Sequence, residues 1–467
     1  MGYDYTLLRD AYFSTGGFAN GAYLTKHKRE TDEDYRTRQS NAYYLNYFSA
    51  IVNALVDPIF KRKPLRDYDG GASVLVEKFL KDVDGAGTDI TSFMKRAAIA
   101  AKTYGIVFIV LDNVSDASDR ENVAELLRER AFPYAYIVPP ENVDEYGLSD
   151  IGGLDFIKFH EIDTITDGTI SYRYIRFDRE GWAAWGTTMV KTEGTYSLGR
   201  VPVIPLFSHM LEQQTMFPAP ELLPIAKTAK ALYNHCSWLD EILRNQTFPL
   251  LTMPSLDASE LVIGTNNALG YSPDSSHTPA FIAPDSSPAS TLQGQIHSLI
   301  QEMYRMANLS FMTGAPSNVS GVARQWEFER TNQALANFAH QCGVAEEQMM
   351  QVFAGWLGTD IEYTVSYPEE FGIVDIVAEL AEARAVLELD LADEMREEVL
   401  KKVLGAYLPN LSDERFDEIV EDGRKKTQEA IYMANAASAM MLGDSAPDGE
   451  TPPEPPSNEE QEPPAKE

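Results

Sequence analysis

Residues 291–356 decide the fold. They read TLQGQIHSLIQEMYRMANLSFM (291–312), TGAPSNVSG (313–321) and VARQWEFERTNQALANFAHQCGVAEEQMMQVFAGW (322–356). In the first and third pieces apolar residues recur in steps of three and four, which predicts two helices that each carry one apolar stripe. The middle piece cannot continue a helix, because Pro316 lacks an N–H and Gly314 and Gly321 are poor helix formers. The pattern predicts a long helical hairpin with a polar elbow. No catalytic motif lies on it, which favours a mechanical or assembly role.

Composition bounds the class of protein. The chain has 467 residues, enough for several domains, and its apolar content of 44% is ordinary for a folded protein. Its formal net charge of -32 at pH 7 is not ordinary. On average such a chain repels DNA and anionic membranes. However, a pore through which DNA must slide without sticking also benefits from acidic walls.

The acidic charge is concentrated towards the C-terminus. Residues 368–467 contain 26 Asp and Glu against 9 Lys and Arg, a net of -17. Helical spacing of apolar residues continues through most of this segment. From about Gly443 the chain turns into Pro, Glu, Ser and Asp, as in TPPEPPSNEEQEPP (451–464). That composition predicts a disordered tail.

The N-terminal half predicts helices followed by a buried strand. Tyr35–Phe60 has helical spacing, with a kink or restart expected at Pro58. The cations that follow at 61–63 are interpreted as a basic helix end, or alternatively as a contact for DNA phosphates or an acidic partner. Residues 88–112 predict a helix that ends at Gly105 and then a strand. The polar segment Asp116–Arg130 predicts an inserted surface helix.

Residues 132–207 predict an antiparallel meander. Asp167-Gly168 is a hairpin turn signal. Gly199–Phe207 is apolar but contains two prolines, so we expect it at a sheet edge or on a surface. The candidate strands are Tyr134–Val138, Phe156–Ile162, Thr169–Phe177 and Trp182–Val190.

A second long helix precedes the hairpin. Pro218–Gln246 has a nearly heptad rhythm, which is typical of a core helix or of packing against copies of itself, and Glu221 is expected in its first turn. In residues 247–290 the apolar residues no longer have helical spacing, and Pro and Gly separate short predicted strands. A small β module therefore lies between two long helices, which predicts a stalk with a tip. After Trp356, Ile361–Tyr367 predicts a strand.

Signatures of catalysis are absent. The chain has no phosphate-binding glycine loop, no HExxH, no CxxC pair and no GxSxG elbow. Cys236 and Cys342 are expected to be buried apolar residues, and the seven histidines, including His235, are scattered and structural. We therefore expect no enzyme activity, no metal and no cofactor. Three pairs stay open to a second interpretation: Asp240 with Glu241 and Glu327 with Glu329 as paired carboxylates rather than surface charge, and Trp182 with Trp185 as base-stacking rather than core residues.

The order of these parts resembles the portal (head-tail connector) proteins of tailed bacteriophages. The resemblance covers about residues 35–440. Each motif is weakly specific alone, and their order is more so. The motifs are YFSAIVNALVDPIFKRKP (47–64), PELLPIAKTAKALYNHCSWLDEILRNQTFPLL (220–251), MANLSFMTGAPSNVSGVARQWEFERTNQALANFA (306–339) and LDLADEMREEVLKKVLGAYLPNLSDERFDEIVEDG (389–423).

The resemblance implies an α+β, mostly helical fold with a division into named parts. These are a wing (1–217), stem helices (218–246 and 291–312), a β-rich clip (247–290), a tunnel loop (313–321), a tunnel helix with a strand returning to the wing (322–368), an acidic helical crown (369–442) and a disordered tail (443–467).

The resemblance also implies a passive function. Portals form a ring of twelve copies at one capsid vertex, and DNA passes through the ring during packaging and ejection. The implied partners are further copies of the chain, double-stranded DNA bound non-specifically, the terminase large subunit, head-tail adaptors, and the major capsid and scaffolding proteins. The protein is expected in the host cytoplasm during assembly and then in the virion, with no membrane partner. The implied DNA-facing residues are Gly314, Ser317, Asn318, Ser320, Gly321 and Arg324.

Some alternatives stay open. Arg324 either contacts DNA or pairs with Glu327. The chain as a whole is alternatively another oligomeric virion or adaptor protein without a DNA-sized channel. A third class is a hydrolase whose site is assembled from scattered carboxylates.

Overall fold

The structure, a computed structural model of the 467-residue chain, divides into two compact units, Met1–Gly372 and Ile373–Glu467. It describes residues 2–69, 73–113, 130, 132–150, 152–167, 169–186, 191–209, 216–247, 250–254, 268–272, 274, 278–282, 285–313, 321–371, 425 and 433. The predicted surface helix (apart from Arg130), almost all of the predicted crown, and the predicted tail lie outside these residues.

The described part of the first unit is an α+β fold. Its α-helices are α1 (Tyr5–Phe13), α2 (Gly16–Ala19), α3 (Asp32–Asn41), α4 (Tyr47–Val56), α5 (Ser73–Lys81), α6 (Ile90–Tyr104), α7 (Leu223–Thr247), α8 (Ser287–Met306) and α9 (Gly321–Leu357). Short 3-10 helices span Asp57–Phe60, Pro140–Asn142 and Ser310–Thr313.

The strands form small sheets. They are β1 (Leu65–Asp69), β2 (Ile106–Asp112), β3 (Tyr134–Val138), β4 (Val143–Leu148), β5 (Leu154–Thr166), β6 (Thr169–Asp178), β7 (Gly181–Gly186), β8 (Thr192–Thr195), β9 (Val203–Phe207), β10 (Leu250–Pro254), β11 (Ala268–Tyr271), β12 (Ala280–Ile282) and β13 (Glu362–Ser366). The strand orders are β1-β13, β3-β2-β9, β4-β5-β6-β7-β8 and β11-β10-β12.

The prediction of one helix over Tyr35–Phe60 was wrong. The chain forms α3 and α4 with an extended break between them, and a 3-10 turn follows α4 with Pro58 near its start. The break exists because the Asn46 side chain caps a new helix, accepting from the Ser49 N–H at 2.8 Å while donating to the Tyr12 carbonyl at 2.8 Å. The expected restart at Pro58 is confirmed.

Strand β2 connects two hydrophobic cores. Gly105, at φ 86°, ends α6 in the left-handed conformation that the sequence predicts for this glycine, and β2 begins at the next residue. Val107, Ile109 and Leu111 face a core made mainly by helices. The alternate residues Ile106, Phe108 and Val110 face a second core, against the five-stranded sheet. A strand buried on both faces needs a continuous apolar run, which explains the sequence IVFIVL.

The meander is present with shifted bounds. Strand β3 has the predicted limits, and β5 and β6 pair antiparallel across the predicted turn, with Asp167 at φ 51°. Strand β7 ends at Gly186, and residues 187–190 lie outside the described part. Strand β9 starts only at Val203, so the prediction from Gly199 was too long. It is the edge strand predicted, although most of its side chains are buried.

Strands β1 and β13 join two parts of the chain that are far apart in the sequence. These strands pair antiparallel, with Leu65 opposite Ser366 and Asp69 opposite Glu362. The predicted strand after Trp356 is therefore confirmed, and its partner lies near the N-terminus. Helix α9, which leads into β13, packs on β2, β9 and β13, so that its C-terminal half is part of the helical core.

Two helix bounds differ from prediction. Helix α7 begins at Leu223 rather than Pro218, and Glu221 lies before it, where its carboxylate accepts from the Lys102 ammonium at 2.7 Å. Helix α8 begins at Ser287, because Pro288 is tolerated in a first turn, and ends at Met306 rather than Met312. No helix in the described part of the chain is long and apolar enough to cross a membrane.

Candidate functional site: the stalk, its tip and the elbow

Helices α7 and α8 form an antiparallel pair that we call the stalk. The Gln246 side chain near the end of α7 donates to the Asp285 carbonyl just before α8, at 2.9 Å. At the other end, Leu232 and Tyr233 of α7 and Met303 of α8 are buried in the helical core. One end of the stalk is therefore anchored in the core, and the other end carries the segment that links the two helices.

The distal stalk lacks cover among the described residues. Trp238, Leu239 and Ile242 of α7 and Leu292 of α8 are partly exposed, and none of them belongs to or packs against either core. Leu243 is 42% exposed. Two helices alone bury only one stripe of each, so the remaining apolar surface is available to another molecule.

The stalk ends in a small sheet, which we call the tip. Strand β10 pairs parallel with β11 and antiparallel with β12. Phe281 and Ile282 of β12 are 69% and 47% exposed. Exposed apolar residues on a short edge strand are typical of a contact surface.

Residues 245–323 are depleted in charge. This segment of 79 residues contains only six charged side chains, whereas 24% of the whole chain is charged. They are Asp257, Glu260, Asp274, Asp285, Glu302 and Arg305. Glu302 and Arg305 pair with each other at 2.7 Å. The stalk helix α8, the tip and the elbow therefore carry few charged side chains, and the net charge of the segment 245–323 is -4.

The elbow joins α8 to α9. Asn308 adopts the left-handed conformation at φ 58°, and the Leu309 N–H donates back to the Tyr304 carbonyl at 2.8 Å, which ends α8. The Thr331 hydroxyl of α9 donates to the Asn308 carbonyl at 2.7 Å. This hydrogen bond fixes one side of the elbow against α9. The left-handed turn at Asn308 ends α8 at Met306, six residues before the predicted end at Met312.

The predicted DNA-facing residues are largely beyond what the structure describes. Gly314, Ser317, Asn318 and Ser320 lie outside the described residues. Gly321 is the first residue of α9, and Arg324 lies in the first turn, its side chain not among those described. Whether Arg324 contacts DNA or Glu327 therefore stays a prediction.

Helix α9 has an exposed start and a buried remainder. Trp326 is 73% exposed, and Glu329 and Arg330 are also exposed. From Thr331 onwards a buried residue recurs every three or four positions as far as Phe353. The first turns of α9 therefore extend past the core, next to the elbow.

A buried ionic cluster holds the core end of α9. The Glu346 carboxylate is fully buried and accepts from Arg66 Nε at 2.6 Å and Nη2 at 3.2 Å. The Tyr367 hydroxyl donates to it at 2.6 Å, and the Tyr363 hydroxyl also donates to it. Arg66 donates in addition to the Thr91 hydroxyl at 3.0 Å. This cluster ties β1, β13, α6 and α9 together.

Burial and charge within this cluster shift the pKa values of Arg66, Tyr363 and Tyr367. Burial lowers the pKa of Arg66, but the hydrogen bond to and charge of Glu346 outweigh that effect and the net pKa is raised. Burial, followed by the Glu346 carboxylate, raises the pKa values of Tyr363 and Tyr367 well above the ordinary range. The arrangement therefore favours a charged Arg66 and two neutral tyrosines. The sequence pattern missed this cluster, although Glu346 lies on the apolar stripe of α9, where a charge is unusual.

The other candidate residues have structural places where their side chains are described, and the Glu327 side chain is not among those. Cys236 and Cys342 are buried free thiols, as predicted, and burial raises the pKa of each. Asp240 pairs with Arg244 at 2.8 Å. No group of three or more His, Cys, Asp or Glu side chains that could hold a metal occurs among the described residues. His235 is less well satisfied than predicted, since its Nδ1 is buried without a hydrogen-bond partner there.

Trp182 and Trp185 lie in two different environments. Trp182 packs against the second core. Trp185 stacks on Tyr174 on the other face of the five-stranded sheet, with ring centroids 6.2 Å apart and Lys158 Nζ 5.7 Å from its ring. Neither tryptophan contributes to the stalk or the elbow. The basic residues 61–63 are exposed at the end of a 3-10 helix, which leaves both interpretations of them open.

A cavity of ≈ 510 Å³ lies between α9 and β13. It is lined by polar side chains, including His340, Glu347, Glu369 and Glu370, and by no Lys or Arg. Glu347 also accepts from the Val365 N–H at 3.3 Å, so part of this lining holds α9 against the strand.

Comparison with known proteins gives only a likeness of fold. No protein-family model matches the chain, and no curated protein matches it. Among solved structures, it is similar to a chain in the neck of an empty gene transfer agent particle computed with C6 symmetry. That match has 10% identity and a TM-score of 0.42, and covers 75% of this chain and 88% of the other. It is also similar to a chain in the virion of a native gene transfer agent particle, with 11% identity and a TM-score of 0.43, covering 85% and 99%.

Proposed function

We propose that this chain is a portal protein: a ring-forming channel at one vertex of a phage-type capsid, through which DNA is packaged and ejected. The observation that carries the proposal is the stalk, in which two antiparallel helices end in a small β tip and leave apolar surface uncovered. In this assignment the wing is 1–217, the stem helices are α7 and α8, the clip is the tip, and the tunnel loop is the elbow.

The uncovered surface supports assembly. The distal stalk exposes apolar residues that the described part of the chain does not cover. Packing of further copies side by side covers such a surface without any additional protein. A single chain that repeats by rotation until the ring closes uses one heterologous contact throughout.

The charge distribution supports passive passage of DNA. The segment 245–323, which has few charged side chains, offers hydroxyl and amide groups, which exchange phosphate contacts easily, and it contains no lysine. A cationic wall would bind DNA tightly, since each neutralised phosphate releases counterions. In the proposed ring, a separate terminase supplies the energy and docks on the tip, as head-tail adaptors do later.

A second candidate is another ring-forming virion protein without a DNA-sized channel. The same uncovered stalk also favours this second candidate, because uncovered apolar surface indicates assembly but does not indicate contact with DNA. The diameter of the hole separates the two candidates. No specific observation favours the hydrolase alternative, and among the described residues no three His, Cys, Asp or Glu side chains come together as a metal site.

Electron microscopy of the purified chain, with light-scattering mass on the same chromatographic peak, tests the proposal. We expect rings with a central hole that admits a DNA duplex, at about 620 kDa for twelve copies of the 52.0 kDa chain. A ring with a hole narrower than duplex DNA favours the second candidate. A stable dimer or monomer at every salt and protein concentration overturns the ring.

A further inference from the structure

One face of the five-stranded sheet lies outside both hydrophobic cores. On the opposite face, Ile157 and Phe177 are buried in the second core. Side chains alternate between the two faces along each strand, and Phe156, Tyr174 and Trp185 belong to neither core. We call their side of the sheet the aromatic face. It comprises the partly exposed residues Phe156, Lys158, His160, Tyr174, Arg176 and Trp185.

Three flat rings form a row across the aromatic face. His160 of β5 lies opposite Tyr174 of β6, which in turn lies opposite Trp185 of β7. The Tyr174 and Trp185 rings are 6.2 Å apart and 20° from parallel, and the His160 and Tyr174 rings are also 6.2 Å apart. Neighbouring strands lie about 4.8 Å apart, so the row spans about 10 Å. Exposed rings on neighbouring strands of an antiparallel sheet can stack two or three bases of a single strand.

Two cations lie opposite each other beside this row. Lys158 of β5 and Arg176 of β6 are direct cross-strand neighbours. Like charges at such positions destabilise a sheet. Lys158 Nζ pairs with the Glu145 carboxylate at 3.0 Å, but Arg176 forms no ion pair with any described residue. An anion that binds between the two side chains relieves their repulsion, so the arrangement favours a negatively charged ligand.

The two cations are also in contact with aromatic rings. Lys158 Nζ lies 5.6 Å from the centre of the Tyr174 ring and 5.7 Å from that of Trp185. The Arg176 guanidinium lies 4.0 Å from the centre of the Phe156 ring. Stacking holds a guanidinium through its face and leaves the N–H groups at its edge available for a phosphate. The aromatic face therefore combines flat apolar rings with donors for an anion.

We infer that the aromatic face binds single-stranded nucleic acid. Its bases stack on Tyr174 and Trp185, and its phosphates bind Lys158 and Arg176. A single strand offers flat bases together with phosphates, whereas a duplex keeps its base faces stacked inside. An acidic protein matches the cations but leaves the row of rings without a flat partner. This site is separate from the proposed channel for duplex DNA and does not depend on ring formation.

Fluorescence anisotropy of a labelled oligothymidine of about 15 nucleotides, added to the full chain at low salt, tests the inference. Trp185→Ala removes a stacking ring, so we expect the Kd to rise at least about fivefold. Arg176→Gln removes a phosphate contact, so we expect weaker binding and a slope of log Kd against log salt that is shallower by about 0.7. The matched controls are Tyr43→Ala, at a 53% exposed position, and Lys81→Gln, at a 66% exposed side chain, and we expect both to leave the Kd unchanged.

Several results overturn the inference. No binding by the unaltered protein, or equal Kd values for Trp185→Ala and Tyr43→Ala, rejects the site. Equal affinity for a duplex of the same length assigns binding to phosphates alone, and equally strong competition by polyglutamate assigns the face to an acidic protein. Loss of assembly without loss of binding in Trp185→Ala makes the face a contact between copies. If Trp185→Ala fails to fold by circular dichroism, Tyr174→Leu replaces it, and we expect a similar rise in Kd because leucine fills the place without a flat ring.

Discussion

At the scale of single residues, Glu346 is a strongly constrained side chain. It is fully buried and accepts four donated hydrogen bonds, from two nitrogens of Arg66 and from two tyrosine hydroxyls. A buried carboxylate is tolerated only when it is paired and hydrogen-bonded in this way. The cluster therefore fixes the register between α9 and the β1-β13 ladder.

Replacing Glu346 leaves a buried cation unpaired. We expect Glu346→Gln to lower the free energy of unfolding by about 3 kcal/mol, because the desolvated Arg66 loses its counter-charge. Glu362→Gln, on the exposed face of β13, changes it by less than about 0.5 kcal/mol and serves as the control. Denaturant unfolding followed by near-ultraviolet circular dichroism measures both. Equal unfolding midpoints for the two variants would show that the Glu346–Arg66 ion pair does not stabilise the fold.

The tyrosines of the cluster predict a loss of stability in alkali. The pKa values of Tyr363 and Tyr367 are raised in the folded state, so the stability that the neutral hydroxyls supply is complete below the unfolded pKa of about 10. It is lost as the pH rises from there towards the folded pKa values. We expect the Tyr363→Phe/Tyr367→Phe variant to show a shallower fall between pH 10 and pH 12 in thermal unfolding. A slope identical to that of the unaltered protein contradicts the assignment.

At the scale of elements, two glycines with different backbone conformations predict opposite effects of the same substitution. Gly105 ends α6 at φ 86°, and an added Cβ would approach the Pro220 Cα at 3.0 Å. Gly294 lies inside α8, and an added Cβ would meet nothing within 4 Å. We expect Gly105→Ala to cost about 1–2 kcal/mol of stability and Gly294→Ala to contribute about 0.5–1 kcal/mol. Thermal unfolding under matched conditions checks the pair, and shifts of the same sign refute it.

The elbow depends on the hydrogen bond between Thr331 and Asn308. Thr331→Val keeps the shape but removes the donor to the Asn308 carbonyl, which costs about 1 kcal/mol. We expect faster trypsin cleavage at Arg324 or Arg330 in this variant, because the start of α9 opens more often. Thr331→Ser retains the hydroxyl and is the control. Equal cleavage rates in the two variants would mean that this bond does not restrain the elbow.

Local patterns in the sequence were sufficient for elements that local interactions determine. The glycine end of α6, the limits of β3 and the turn between β5 and β6 follow from spacing and turn chemistry alone. Strand β1 was missed because LRDYD has no apolar alternation and is a strand only through β13, nearly 300 residues away. The break at Asn308 was missed because apolar spacing continues through it.

The candidate site likewise has parts that the sequence predicts and parts that it does not predict. The stalk and the tip follow from a loss of helical spacing near residue 247 and its return near residue 291, within a few residues of the observed helix bounds. The partners of Glu346 lie on segments that are distant in the chain, such as Arg66 of β1. A charge on the apolar stripe of α9 was the one signal in the sequence that pointed to the cluster.

At the scale of the whole molecule, charge is distributed unevenly. The segment 245–323 has only six charged side chains, whereas residues 368–467 carry more than half of the net charge. Strongly acidic regions repel other copies and DNA, and a region with few charges repels them less. In the proposed ring, assembly and DNA passage are therefore both assigned to the stalk, the tip and the elbow.

Deleting residues 316–320 separates these two roles. Residues 316–320 lie between α8 and α9 in the chain, while the uncovered distal stalk and its anchors in the core lie elsewhere, so we expect the deletion variant to form rings of unchanged mass. In a packaging assay with purified particles and terminase, we expect the same rings to package or retain less DNA, because the loop supplies the exchangeable phosphate contacts of the proposed channel. Replacing the five residues by a Gly-Ser linker of equal length is the control for length. If the deletion abolishes ring assembly, the loop is a structural element of the contact between copies, and the proposed role in DNA passage has to be assigned to another surface.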